Sequence, residues 1–248
     1  MNMRPTKPVA IAALIGFALG APFAASAQVV PLKEAKLNIE HNATANDTGY
    51  QGAIDSEGWG GLTVTGPDGV ILELKPQGKL ATLGMTELFF ETVEPENAKV
   101  PVADMLAILP EGKYKIEGPV VASLGGGTTA GTAWLTHNIP AGAVLITPAE
   151  GAKVPLGDTV MSWGAVTQTI TGKPVKIIAY ELIIEKVGDP DPNMIGKPNS
   201  LSMHVRPSVN EITISAAFFE AGSPYAWEIL AVEESGNQTL ASGKFSTE

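Results

Sequence analysis

The stretch "EITISAAFFEAGSPYAWEILAVEESGN" (residues 211–237) is typical of two β-strands joined by a tight corner. A first alternating segment ends where Gly222 and Pro224 interrupt the pattern, and a second begins immediately afterwards. Successive side chains of a strand point to opposite faces, so every second residue shares a face. One face of the second strand carries Tyr225, Trp227, Ile229 and Ala231. The stretch therefore predicts two strands with a bulky, apolar inner face.

The flanking segments continue this pattern in both directions. The segment "TVMSWGAV" (residues 159–166) places Trp163 at the end of an alternating strand. The segment "KIIAYELIIEKV" (residues 176–187) places Tyr180 in the middle of another. The final residues, "ASGKFSTE" (241–248), are predicted to form the last strand.

The sequence over about residues 143–248 resembles a fibronectin type III domain. The resemblance rests on the order of Trp163, then Tyr180, then a corner of the form apolar-x-x-Gly-x-x-Tyr. In that family a tyrosine near the start of the penultimate strand returns its hydroxyl group to the upstream loop. Tyr225 occupies the matching position, and Phe219 stands where the family usually has leucine. The resemblance implies a core built on Trp163, Tyr180, Phe219, Tyr225 and Trp227.

Two features depart from the family pattern. The segment "VGDPDPNMIGKPNS" (residues 187–200) lengthens one connection between strands. The chain also contains no Arg-Gly-Asp tripeptide, so the integrin binding known for the family is not carried over. Fold alone does not supply a function.

The preceding residues predict a second β-sandwich-like module. Short apolar stretches alternate with glycine and proline, and "GLTVTGPDGVILEL" (residues 61–74) is typical of a hairpin. Only "PVADMLAIL" (residues 101–109) has helical character, for about two turns. We therefore predict an all-β protein with two immunoglobulin-like or fibronectin III-like sandwiches in tandem, at residues 28–140 and 141–248, and one short helix in the first.

Two segments of the first module carry a further resemblance. The sequences "MTELFFETVEP" (residues 85–95) and "LPEGKYKIEG" (residues 109–118) resemble an uncharacterised class of secreted bacterial proteins that pair such a module with a fibronectin-like one. The resemblance implies export and a bacterial source. It implies no activity.

Residues 1–27 are predicted to be a signal peptide. Arg4 and Lys7 precede the apolar run at residues 9–21, which is too short to span a bilayer. Small residues at Ala25 and Ala27 suit a signal peptidase, so cleavage leaves Gln28 as the first residue. We expect a secreted or periplasmic protein with no membrane-spanning segment.

Composition limits the classes of partner. The net charge is −10, and removal of Arg4 and Lys7 with the signal peptide makes it −12. No cluster of basic residues occurs, which disfavours nucleic acid and anionic lipid surfaces. The absence of cysteine excludes thiolate nucleophiles and thiolate metal ligands. Extracellular proteins, glycans and cations remain as partners.

The sequence contains no recognisable catalytic constellation. His41, His137 and His204 lie in unrelated contexts, without the spacing of a zinc site. No Gly-x-Ser-x-Gly motif is present. The remaining catalytic alternative is glycoside hydrolysis by a pair of carboxylates, for which Asp47, Asp55 and Glu57 are the candidates. We predict no catalytic residues and no enzymatic activity.

The stretch "NATANDTGYQGAIDSEGWGG" (residues 42–61) admits two interpretations. Asp47, Asp55 and Glu57 could supply three carboxylates to a calcium ion, with an amide oxygen from Asn42 or Asn46. Alternatively, residues 46–49 and 55–58 are two turns whose acidic side chains bond the local backbone. Beyond this optional calcium, no cofactor is expected.

These features predict a non-catalytic binding or adhesion protein that acts through its β-sandwich modules. The alternative is a carbohydrate-binding or accessory module of a system that degrades polysaccharides. Two aromatic pairs, Phe89–Phe90 and Phe218–Phe219, place one ring on each face of a strand. The outer ring of either pair is a candidate for a protein interface, unless a loop or the neighbouring domain covers it. The sequence does not identify the ligand.

Overall fold

The structure is a computed structural model that describes residues 29–188 and 199–248. The first half of the described chain contains β1 (Val29–Pro31), β2 (Glu34–Asn42), β3 (Asp47–Trp59), β4 (Leu62–Gly66), β5 (Gly69–Leu74), α1 (Leu80–Leu83), β6 (Met85–Glu91), α2 (Val102–Leu106), β7 (Gly112–Pro119) and β8 (Thr128–Leu135). The second half contains β9 (Leu145–Thr147), β10 (Ala152–Val154), β11 (Thr159–Trp163), β12 (Ile177–Lys186), β13 (Ser200–Val205), β14 (Glu211–Ile214), β15 (Pro224–Glu233) and β16 (Gln238–Thr247).

The all-β prediction is confirmed. The described part of the first half has two short helices where one was predicted, and the predicted helix is shorter than expected, because α2 covers only Val102–Leu106. None of the described helices is long and apolar enough to cross a membrane. The predicted signal peptide and most of the long connection after Val187 lie outside the described residues.

The first sandwich packs the sheet β1-β8-β7-β4-β5 against strands β2, β3 and β6. The predicted hairpin is formed by β4 and β5, and Gly69, with φ 117°, supplies a backbone conformation that other residues rarely adopt. The alternation of β7 is clear, since Tyr114 and Ile116 are buried while Lys113 is exposed. Burial of one face of each sheet produces the first core, which includes Leu37, Ile39, Trp59, Val64 and Leu135.

The second sandwich packs the sheet β14-β11-β9 against β13-β12-β15-β16. The two facing sheets form a β-sandwich, the architecture that the fibronectin type III resemblance implies. The five aromatic residues named for its core, Trp163, Tyr180, Phe219, Tyr225 and Trp227, are all buried. The rings of Trp163 and Tyr180 meet edge to face with centroids 5.6 Å apart, and Tyr225 stacks on Phe245 at 5.5 Å.

The Tyr225 hydroxyl group bonds to the loop upstream, but as an acceptor. The backbone N–H of Glu220 donates to it over 2.8 Å. Tyr180 repeats the arrangement, because its hydroxyl accepts from the backbone N–H of Val166 over 2.8 Å. In both cases a ring in the core fixes a connecting segment through one hydrogen bond to its main chain.

The two sandwiches share one sheet of eight strands, in the order β13-β12-β15-β16-β2-β3-β6, with β10 paired to β16 as the eighth. Strand β16 of the second pairs in parallel with β2 of the first, at Gln238–Glu40, Thr239–His41 and Leu240–Asn42. Asn237, only 1% exposed, accepts from the Ile39 N–H over 2.8 Å and donates to the Thr136 carbonyl over 2.9 Å. The division into domains at residue 140 stays a prediction, because these bonds join the two halves.

Candidate functional site

The structure does not bring the predicted calcium ligands together. Asp47 begins β3, whereas Asp55 and Glu57 lie near its other end. Asp55 lies eight positions along the extended strand from Asp47, a distance of about 26 Å at 3.3 Å per residue. Glu57 instead forms an ion pair with Lys33, with Nζ and Oε1 3.1 Å apart. A single ion therefore cannot bind all three carboxylates.

The alternative of two turns is wrong at the predicted residues, because 47–49 and 55–58 belong to β3. A turn does precede β3, at residues 43–46, where Asn46 has φ 59° and the Asn42 side chain accepts from the N–H of Ala45 over 2.8 Å. The second predicted turn is part of β3 itself. There the pairing with β6 shifts between Asp55 and Trp59, which is an irregularity inside a strand.

An acidic cluster lies where β2, β3 and β6 meet, and the sequence did not predict it. Glu40, Glu91 and Glu94 each place a carboxylate oxygen within 4.8 Å of the others. Gly49 lies opposite Glu40 in the β2–β3 pair and, having no side chain, leaves space for the side chain of Glu94. A Cβ atom at Gly49 would lie 2.7 Å from Cγ of Glu94, so only glycine lets that side chain cross the sheet here without a shift.

The cluster changes the protonation of its members. Burial, followed by the charges of Glu40, Glu91 and Asp47, raises the pKa of Glu94 from an ordinary 4.5 to about 7. Its Oε1 atom is buried and has no hydrogen-bond partner among the described residues. Burial also raises the pKa of Glu40, although a hydrogen bond from the Gln238 amide opposes the shift.

These three carboxylates are where a cation could be held. Calcium and other hard cations take oxygen ligands, and carboxylates that crowd one another gain from a neutralising charge. The cluster was hard to predict from the sequence, because Glu40 and Glu91 are far apart in the chain. They meet only because β2 and β6 both pair with β3.

An apolar groove of about 440 Å³ opens beside the cluster, between β5 and β6. Leu72 and Leu74 line it from β5, and Leu88 and Phe90 from β6. Ile108, after α2, lines it too and is 62% exposed. The larger set of lining residues includes Leu37, Tyr50, Ile71, Glu91, Thr92 and Leu109.

The strands on both sides of the groove end their sheets. β5 is the last strand of the five-stranded sheet and β6 the last of the eight-stranded sheet. Among the described residues no strand pairs with the outer edge of either. Edge strands offer unpaired N–H and C=O groups to another chain. The first sandwich is thus left without strand pairing along one side, with apolar side chains between two free edges.

The Phe89–Phe90 pair divides between the two faces of β6. Phe90 packs against the core and covers Gly52 of β3, where a Cβ atom would lie 2.3 Å from its ring. Phe89 points away and is 60% exposed. The second pair is different, because Phe219 is buried and Phe218 packs partly buried against the same core. Phe89 is therefore the exposed ring of the two pairs.

A second groove, of about 490 Å³, lies between the two sandwiches. Trp134 of β8 lines it and is 62% exposed. Lys36, Asn38 and Ser235 provide polar groups in the same lining. An exposed indole beside polar side chains is a surface on which a sugar ring can stack.

The three histidines are separate, as their sequence contexts predicted. His41 bonds through Nδ1 to the Thr48 hydroxyl over 2.9 Å. His137 bonds through Nε2 to the Leu109 carbonyl over 2.9 Å. His204 lies on β13, with Nε2 3.5 Å from a carboxylate oxygen of Glu181. Each has a partner of its own.

Comparison with known proteins yields structural similarity alone. No protein-family profile and no curated protein matches the chain. The FN1–FN3 domains of chicken CNTN1 match with 8% identity and a TM-score of 0.30 over 89% of this chain, which spans 66% of the length of that fragment. A segment of two fibronectin type III domains from chicken tenascin matches with 11% identity and a TM-score of 0.30, over 86% of this chain and 97% of the segment.

Proposed function

We propose that this is an exported, non-catalytic binding or adhesion protein whose first sandwich binds an extended segment of a partner protein. The observation that carries the proposal is the apolar groove between the free edges of β5 and β6. An extended segment can pair its main chain with such an edge while alternate side chains enter the groove. Affinity then comes from main-chain bonds and specificity from the side chains.

The exposed apolar side chains near the groove support the same proposal. Val70 lies on β5, Phe89 on β6 and Ile108 beyond α2, and more than half of each is exposed. Of the three, Ile108 lines the groove itself, and exposed apolar surface of this kind marks interaction sites in soluble proteins. Its burial by a partner contributes about 25 cal/mol for each Å² removed from water.

The test is selection of peptides by display on the mature protein, followed by binding to two variants. Ile108→Glu places a charge in the groove at a position already exposed to solvent, so the fold is retained. Val144→Glu changes a residue of the second sandwich that is 70% exposed, against 62% for Ile108, and is the matched control. We expect selected peptides to alternate apolar residues and to lose affinity for Ile108→Glu alone. Equal binding to both variants would contradict the proposal.

Export has its own test. Intact mass of the secreted protein should correspond to a chain that begins at Gln28. A mass that includes Met1 would contradict cleavage by signal peptidase.

Carbohydrate binding is the second candidate, and Trp134 favours it. Aromatic side chains that bind sugars present an exposed ring beside hydrogen-bonding groups, as Trp134 does beside Asn38 and Ser235. Sedimentation with insoluble polysaccharide tests it. Binding by the native protein that Trp134→Ala abolishes and Ile108→Glu leaves intact would support the glycan, and absence of binding would dismiss it.

For calcium we propose Glu40, Glu91 and Glu94 as the binding residues in place of Asp47, Asp55 and Glu57. What supports the new set is the mutual approach of the three carboxylates and the buried, unpartnered Oε1 of Glu94.

A further inference from the structure

We infer that the partner segment carries basic residues at two positions four residues apart, which pair with Glu87 and Glu91 when the segment adds to β6. The inference rests on the proposed function and narrows it to a class of sequence: apolar residues alternating with polar ones, two of which are Lys or Arg.

The two faces of β6 impose this pattern. Leu88 and Phe90 point into the groove, whereas Glu87, Phe89 and Glu91 alternate with them and are exposed on the opposite face; Glu91, at the end of β6, also borders the groove. A strand added to the outer edge of β6 alternates in the same way. Its groove-facing side chains meet leucine and phenylalanine, and its other side chains lie directly beside two carboxylates.

The carboxylates on the opposite face of β6 lie close to other carboxylates. Glu87 lies opposite Asp55 of the neighbouring strand β3, and Glu91 joins Glu40 and Glu94 in the acidic cluster. The basic residues of this region are used elsewhere, since Lys33 pairs with Glu57 and Lys36 with Glu34. Among the described residues no ion pair reaches Glu87 or Glu91. The amide of Gln51 donates to Glu91 over 3.2 Å, without neutralising its charge.

The same charges disfavour a second copy of this chain as the occupant. Two β6 strands paired antiparallel about Phe89 would set Glu87 of each copy opposite Glu91 of the other. Like charges directly opposite in a sheet are destabilising, and opposite charges are stabilising. A basic segment forms a stabilising pair at both positions where a second copy would form a destabilising one. The partner is therefore a different, basic polypeptide.

Length and spacing define a probe. The seven residues of β6 span about 23 Å. The peptide Val-Lys-Val-Thr-Val-Lys-Val covers this length, with its lysines opposite Glu91 and Glu87, its threonine opposite Phe89 and its valines toward the groove. The control peptide Val-Glu-Val-Thr-Val-Glu-Val keeps the apolar face and reverses the charge.

Fluorescence polarisation with labelled peptides and the mature chain, at low salt and with a chelator so that no cation occupies Glu91, tests the inference. We expect the lysine peptide to bind at least about tenfold more tightly than the glutamate peptide, since two pairs change sign. The double variant Glu87→Gln/Glu91→Gln should lose most of that preference. The variant Asp68→Asn/Glu211→Gln removes the same charge from other exposed positions and should retain it.

The outcomes separate this inference from the proposed function. If both peptides bind equally and Ile108→Glu abolishes both, the groove binds extended chains and the basic pattern is wrong. If neither peptide binds, both the inference and the proposed function are overturned. If the two double variants lose the preference equally, the attraction is general to an acidic protein and the pairing with Glu87 and Glu91 is wrong.

Discussion

Glu94 provides the sharpest test of the acidic cluster, through the change Glu94→Gln. Its pKa rises from an ordinary 4.5 to about 7 on folding. At 1.36 kcal/mol for each pKa unit, the ionised side chain would cost at most about 3.4 kcal/mol. The side chain is only partly buried, and solvent screening reduces this to about 1–2 kcal/mol.

The sign of the pH dependence follows from proton binding. Between about pH 4.5 and 7 the folded protein keeps the Glu94 proton that the unfolded chain has released. The contribution of this group to stability is therefore present below pH 4.5 and is lost as the pH rises through about 7. Glutamine has no proton to lose. We expect Glu94→Gln to be about 1–2 kcal/mol more stable than the native protein at pH 8 and to differ little at pH 4.

Urea unfolding at a series of pH values measures the difference, with Glu87→Gln as a control for the loss of one negative charge from this sheet. A carboxyl resonance of Glu94 followed by NMR should titrate near pH 7. In Gly49→Ala the new methyl group would displace Glu94, and the resonance should then titrate closer to 4.5. A constant difference between Glu94→Gln and the native protein from pH 4 to 8 would refute the account of the cluster.

Three further predictions concern the corner, the junction and calcium. Tyr225→Phe should lower the free energy of unfolding by about 1–2 kcal/mol, because the Glu220 N–H loses its acceptor; an unchanged urea midpoint would contradict this. Asn237→Ala should lower the free energy of unfolding by about 2–4 kcal/mol, since the Ile39 N–H is left buried and unpaired. A loss below about 0.5 kcal/mol would mean that this hydrogen bond contributes little to the junction. Millimolar calcium should raise the thermal midpoint relative to chelator in the native protein and not in Glu94→Gln, and superimposable melts would dismiss the ion.

The second sandwich was predictable because its signals are local. Tyr225 follows Gly222 at the spacing of the corner, and alternation on either side fixes which residues face inward. The structure adds what spacing cannot show, namely that the Tyr225 hydroxyl accepts its hydrogen bond. The choice between donor and acceptor depends on which main-chain group the corner presents, and no side-chain pattern encodes that.

The predicted turns and ligand loops in residues 42–61 are replaced by a strand for a physical reason. Glycines and acids are poor strand formers, so Asp47-Thr48-Gly49 and Asp55-Ser56-Glu57-Gly58 suggest turns or ligand loops. In the fold β3 is central, with β2 on one side and β6 on the other, and pairing on both edges overrides local propensity. Its glycines admit the side chains of Glu94 and Phe90. The need for glycine at these positions is set by residues about forty positions away in the chain, so the local sequence does not show it.

The position of β6 gives the proposed binding a mechanical consequence. β6 ends an eight-stranded sheet that continues through β3 and β2 into β16 of the second sandwich. A partner strand added to β6 would lengthen that sheet by one more strand. Force applied through the partner would then pass across hydrogen-bonded strands from one sandwich to the other, and the Asn237 bonds to Ile39 and Thr136 would share the load at the junction. In an adhesion protein of the kind proposed, tension would reach the second sandwich through the sheet as well as through the chain segment between the sandwiches.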